Sequence, residues 1–306
     1  MPPSIVPQPK LPRALKPGDR IGIAAPASPF DGKSFEAGLG ALESMGFNPV
    51  VPEGLFEKNG FLAGTDRHRA DQLTRLFTDP EIDGIICARG GYGSMRILPL
   101  LDADVLANHP KVFVGFSDIT ALIGFIVQRC GMTVFHGPSV TTLGDGNPET
   151  RERLRAALTR VEPMTLTVEA GETMRSGSAE GPFLCGNLTI LCHLTGTPFQ
   201  PDLKDRILLI EDRGEAPYRI DRMLTQMRMA GCFQDLAGLA LGSFTDCGSS
   251  RHINEIVADR LNGLDIPILA GFNAGHEGVN LTLPVGGAAR LDTKSKTLSF
   301  LNPAVR

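Results

Sequence analysis

Lys111-Val112-Phe113-Val114-Gly115-Phe116-Ser117-Asp118 decides the fold. Val112 to Phe116 runs apolar with no polar alternation, the pattern of a strand buried on both faces in a parallel sheet covered by helices. Gly84-Ile85-Ile86-Cys87-Ala88 repeats it upstream, and a helical pattern through Met95, Ile97, Leu98 and Leu101 lies between the two. Downstream comes an apolar helix from Ile119 to Cys130, stopped by Gly131, and then a strand at Thr133-Val134-Phe135. Toward the N-terminus, a strand over Arg20–Ala25 is broken by Pro26, Ser28 and Pro29. Phe35, Leu39, Leu42 and Met45 recur at helical spacing up to Gly46, and a short strand follows at Pro49–Val51. Thr65 can cap a helix carrying Ala70, Leu73, Leu76 and Phe77. Strand and helix alternating in this way predict an α/β fold, with a doubly wound parallel sheet over residues 1–140.

Residues 141–178 change character and read as an interdomain connection. Gly144–Pro148 is a loop, Glu149–Arg160 a charged surface helix, and Thr165–Val168 an isolated strand. A second domain over 179–306 has strands expected around Phe183, Ile207–Ile210, Leu239–Leu241 and Ile268–Leu269. Its helices are expected near Leu188–Leu194, Arg219–Met229 and Ile253–Leu261.

The chain's 306 residues suffice for two domains of ordinary size. A net charge of −4 and no basic stripe argue against a duplex nucleic-acid partner. With no Trp and two Tyr, rows of stacking aromatics for single strands are also disfavoured. Met1–Pro12 is proline-rich and polar, without a signal-peptide core, and no stretch approaches the roughly 20 apolar residues that span a bilayer. A cytoplasmic protein without a membrane partner is expected. Cys87, Cys130, Cys185, Cys192, Cys232 and Cys247 form no C-x-x-C pair and lack zinc-ligand spacing, so all six read as reduced thiols.

In open α/β sheets ligands bind at the carboxyl ends of the strands. One such end runs into Arg89-Gly90-Gly91-Tyr92-Gly93, the other into Ser117-Asp118 just before a helix. The second junction is similar to a nucleophile elbow, with helix amides aimed where an oxyanion would form. Serine is equally a preferred N-cap, and both readings of Ser117 stand on local sequence. The glycine loop lacks the third glycine of a dinucleotide fingerprint and a Walker lysine, so a phosphate cradle is disfavoured. Of the six histidines, His193 reads as a core residue, and His68, His109 and His252 as solvated. His136 ends a strand, where it either lines the cleft or is structural. His276 lies in the glycine-flanked loop Asn273-Ala274-Gly275-His276-Glu277-Gly278, suited to presenting a general base. Glu211 closes the apolar strand Ile207–Ile210, a well-held position for an acid that orients a histidine, and Asp212 points to the opposite face.

Several stretches, in order and spanning nearly the whole chain, resemble the LD-carboxypeptidase (muramoyl-tetrapeptide carboxypeptidase) family of serine peptidases. They are Leu15-Lys16-Pro17-Gly18-Asp19, Ala88–Gly93, Gly115–Leu122, His136-Gly137-Pro138, Leu209–Asp212 with Pro217–Arg222, and Gly275-His276 followed by Asn280–Gly286. The resemblance implies a first domain like class I glutamine amidotransferases, a smaller β-rich second domain and a homodimer. It makes Ser117, Glu211 and His276 a catalytic triad, with an oxyanion hole from the backbone amides of Gly91 and Asp118. No metal or cofactor is implied. The implied substrate is a small muropeptide, a murein tetrapeptide that loses its terminal D-Ala in cell-wall recycling. Arg89 is a candidate for holding the terminal carboxylate and equally for bracing the loop, and Tyr92 is a candidate substrate contact. A second branch of the family hydrolyses acyl-sulfamoyl adenylates of the microcin C type, often with a tryptophan stacked on the base and a longer chain. A non-catalytic binder of a small ligand in the same cleft is the remaining alternative.

Overall fold

The computed structural model describes residues 8–144 and 147–306. Met1–Pro7 of the proline-rich N-terminus and residues 145–146 of the 144–148 loop lie outside the described residues. Among the described residues fourteen strands are formed: β1 Arg20–Ala24, β2 Asn48–Val50, β3 Gly84–Cys87, β4 Val112–Gly115, β5 Val134–His136, β6 Thr165–Thr167, β7 Glu172–Arg175, β8 Ser178–Asn187, β9 Ile207–Arg213, β10 Gly238–Thr245, β11 Ile268–Ala270, β12 Leu283–Val285, β13 Ala288–Asp292 and β14 Thr297–Phe300.

They make two sheets. The first has the order β12-β5-β4-β3-β1-β2, and all its neighbours are parallel except β12, which is antiparallel to β5. β3 and β4 are buried at every residue, the outcome their unbroken apolar runs require. The second has the order β6-β14-β13-β8-β9-β10-β11-β7. Its centre, β8 to β11, is parallel, and antiparallel strands finish both edges. The fold is therefore α/β with an N-terminal parallel sheet and a β-rich second layer.

Three expectations change. β12 lies within the range 179–306 expected for the second domain, yet it pairs with β5 at the edge of the first sheet. A three-residue strand carries too little periodicity to declare its partner. The strand near Thr165, expected to be isolated, pairs with β14, and β7 pairs with β11, so the 141–178 connection supplies strands to the second sheet. His193 is exposed rather than core, because the helix Leu188–Leu194 turns Leu188, Leu191, Cys192 and Leu194 inward instead.

The layers meet where the helix after Ser117 packs on the end of β8. The Asn187 amide donates to Thr120 Oγ1 at 2.9 Å, and a Cβ on Gly186 would overlap Thr120 Cγ2. Gly186→Ala should therefore force the layers apart and lower stability by about 1–3 kcal/mol, read as a lower denaturation midpoint. An unchanged midpoint would show that this contact is not tight.

Candidate active site

β3 and β4 are adjacent and parallel, so their carboxyl ends release two loops side by side. One is the glycine loop and the other holds Ser117. A Cβ on Gly90 would lie 3.0 Å from Ser117 Cβ and 3.2 Å from Ser117 Oγ, so glycine is what allows the loops to touch. Ser117 has a φ of 62°, a left-handed conformation that costs a non-glycine residue energy and marks functional sites. The N-cap position of the short helix Ser117–Ile119 is held by Phe116, and Ser117 is the first residue inside it. The geometry thus favours the elbow over the N-cap reading. Among the described residues, neither the Gly91 nor the Asp118 amide donates to a protein acceptor. Ser28, which the sequence did not single out, braces the glycine loop: its Oγ accepts the Tyr92 amide at 3.0 Å and its own amide donates to the Gly90 carbonyl.

The second layer brings the other two groups together. Near its end β9 carries two adjacent acids on opposite faces, both buried. Glu211 is fully buried, and its Oε2 lies 2.7 Å from His276 Nδ1. Asp212 serves the other face, accepting from Asn187 Nδ2 at 2.9 Å and from the Thr189 amide and hydroxyl. Burial pushes the Asp212 carboxyl up, and those donors oppose the shift. The loop carrying His276 approaches Glu211 only because residue 275 is glycine: its φ is 128°, and a Cβ there would sit 2.6 Å from Glu211 Oε2. The Gly275 amide donates to Asn280 Oδ1 at 3.0 Å, and the Asn280 amide donates to Thr150 Oγ1 at 3.1 Å, tying the loop to the helix Pro148–Thr159.

Phe116, the residue before Ser117, packs on the His276 ring with centroids 4.9 Å apart, and edge-on against His136 at 6.0 Å. The elbow and the imidazole loop therefore meet across the two sheets. His136 is fully buried, and burial, with His276 nearby, pushes it down to about 3, so it stays neutral. Phe116, Pro138, Thr142, Asn147, Arg213 and His276 line a cleft beside these groups. Arg89 is exposed and donates to the Pro29 carbonyl at 3.0 Å. Tyr92 is half exposed and packs edge-on against Phe61 at 5.5 Å. All six cysteines are free thiols. Among the described residues no group of three or more His, Cys, Asp or Glu is arranged to hold a metal ion, and no helix is long and apolar enough to cross a membrane.

The family model for the LD-carboxypeptidase N-terminal domain matches residues 21–137, and the model for the LD-carboxypeptidase C-terminal domain matches residues 180–291. The chain belongs to the LD-carboxypeptidase family. A Synechocystis protein named as a carboxypeptidase is 40% identical over 296 residues, covering 95% of this chain and 97% of that one. The Bacillus subtilis protein named "Probable murein peptide carboxypeptidase" is 37% identical over 296 residues, covering 94% of this chain and 92% of that one. A solved structure of MccF in complex with glutamyl sulfamoyl guanosine superposes with a TM-score of 0.91 at 27% identity, covering 97% of this chain and 100% of that one. As a member of the family this LD-carboxypeptidase is a serine-type carboxypeptidase, a hydrolase acting on peptides.

Proposed function

We propose that this LD-carboxypeptidase releases the terminal D-Ala of a murein tetrapeptide through a Ser117–His276–Glu211 triad and an acyl-enzyme. The observation that carries the reading is the 2.7 Å contact between buried Glu211 and His276, on a loop packed against the residue before a left-handed Ser117. Glu211 fixes the imidazole with a proton on Nδ1 and leaves Nε2 as the base. His276 takes the Ser117 proton as Oγ attacks the scissile carbonyl, and the Gly91 and Asp118 amides receive the developing oxyanion. The C–N bond then breaks as His276 returns the proton to the leaving amine of D-Ala. Water, activated by the same imidazole, hydrolyses the ester.

The likeness to MccF supports a second reading, hydrolysis of acyl-sulfamoyl adenylates. A chain without tryptophan favours the murein peptide, since stacking of a nucleobase is the feature that branch would need. Purified protein given a muramoyl tetrapeptide and, separately, a peptidyl sulfamoyl adenylate should release D-Ala from the first at the higher kcat/KM. The reverse preference would replace the murein reading. A neutral imidazole is the acting base and its protonated form has no lone pair, so kcat/KM should fall on acidification. A profile flat down to about pH 4 would rule out a histidine base.

A further inference from the structure

The two amides assigned to the oxyanion hole hang on different strand ends; the pairing of β3 with β4 brings those ends side by side, and the loops beyond them set the distance between the amides. The glycine loop leaves β3, passes Gly91 and enters the helix Ser94–Ile97, while Asp118 follows Ser117 out of β4. One buried pair joins them. The Ser94 amide donates to Asp118 Oδ2 at 2.8 Å, and the Ser94 hydroxyl also donates to Asp118, at its backbone carbonyl. Ser94 and Asp118 are 0% and 2% exposed, so no water competes for these bonds. An ordinary N-cap residue immediately precedes its own helix. Asp118 instead reaches 24 residues across to cap the helix that ends the glycine loop, and carries the turn of Ser117 with it.

The loop is also held from behind. Arg69, 1% exposed, donates to the Gly93 carbonyl at 2.8 Å and to the Pro26 carbonyl, and pairs with Asp66. Gly93 has a φ of 125°, and a Cβ there would stand 3.0 Å from Arg69 Nη1. The glycine loop is thus pinned on one side by a fully buried guanidinium and on the other by the residue next to Ser117. Burial pushes the Asp118 carboxyl up, and the Ser94 and Gly93 amides and Arg69 oppose that shift.

We propose that the Asp118 carboxylate and Ser94 are positioning residues: the two hydrogen bonds that Ser94 donates to Asp118 clamp the glycine loop to the nucleophile turn and set the spacing of the Gly91 and Asp118 amides. This rests on the triad reading given above. The donors of an oxyanion hole act only when held where the oxyanion forms, and a misplacement of about 1 Å costs roughly 100-fold in rate. The clamp therefore acts on the transition state more than on substrate binding.

The test uses the full chain with the muramoyl tetrapeptide and the peptidyl sulfamoyl adenylate in parallel, following kcat, KM and the denaturation midpoint. Asp118→Ala and Ser94→Ala should each lower kcat by about 100-fold with KM nearly constant, the mark of an interaction lost only in the transition state. Asp118→Asn, which keeps an acceptor for the Ser94 amide, and Ser94→Thr, which keeps the hydroxyl, should recover most of the loss. A purely structural pair would lower the midpoint without separating kcat from KM. Asp118→Ala and Ser94→Ala variants that fold and keep kcat within about threefold overturn the clamp and leave the triad standing. Should Asp118→Ala fail to fold, the Ser94 pair alone decides by the same threshold. Retained turnover in Ser117→Ala, or no turnover of either substrate by the unaltered chain, overturns the triad reading and the clamp with it.

Discussion

Ser117→Ala is expected to lower turnover about a million-fold with the fold intact, the size of loss seen when a serine nucleophile that acts as one unit with its histidine is removed. Ser117 combines the strand-end position with contact to the glycine loop and adjacency to the imidazole's packing partner, and alanine leaves no hydroxyl there. The conformation of Ser117 adds a stability test. At an ordinary position alanine is more stabilising than glycine by roughly 0.5–1 kcal/mol. Here φ is 62°, a region that penalises any residue with a Cβ by about 1–2 kcal/mol. Ser117→Gly should therefore be at least as stable as Ser117→Ala, and equally inactive. Denaturation midpoints of the two variants read the strain, and D-Ala release reads the chemistry. Turnover of Ser117→Ala near the normal rate would remove the nucleophile from the mechanism.

Glu211→Gln should lower kcat about 10,000-fold while KM changes little, as happens when the carboxylate of a triad becomes an amide. The carboxylate can only accept, so at 2.7 Å from Nδ1 it enforces the tautomer with a free lone pair on Nε2. An amide can rotate to donate to Nδ1 and stabilise the other tautomer, in which Nε2 carries the proton and cannot serve as base. Combining Glu211→Gln with His276→Ala should do little more harm than His276→Ala alone, since the acid acts through the imidazole. A kcat within tenfold of normal for Glu211→Gln would mean that the buried contact serves folding and not catalysis.

Legibility varied along the chain for physical reasons. The first sheet was open to reading because buried parallel strands leave unbroken apolar runs, as at Ile85–Ala88 and Val112–Phe116. The short antiparallel strands, three to five residues long, left no such trace, so β12, β13 and β14 were not anticipated and β6 was expected to stand alone. His193 misled because it stands among leucines, while a helix exposes every third or fourth position whatever its neighbours. Arg69, Ser94, Thr150 and Asn280 hold the site but carry no local signal: a brace is defined by what it reaches, over 24 residues for Ser94 and 130 for Asn280.

Sequence by itself settled the α/β class, the two strand ends where chemistry could sit, and a short set of side chains able to perform it. It left Ser117 balanced between cap and nucleophile, and Arg89 between brace and carboxylate anchor. Only the tertiary structure shows the left-handed φ at Ser117, the Arg89 bond to Pro29, and the meeting of residues 211 and 276 at 2.7 Å. The reason is that residue types and periodicity report local energetics, whereas a relay requires atoms from separate layers to lie within a hydrogen bond's length, a distance fixed by the packing of one sheet against another.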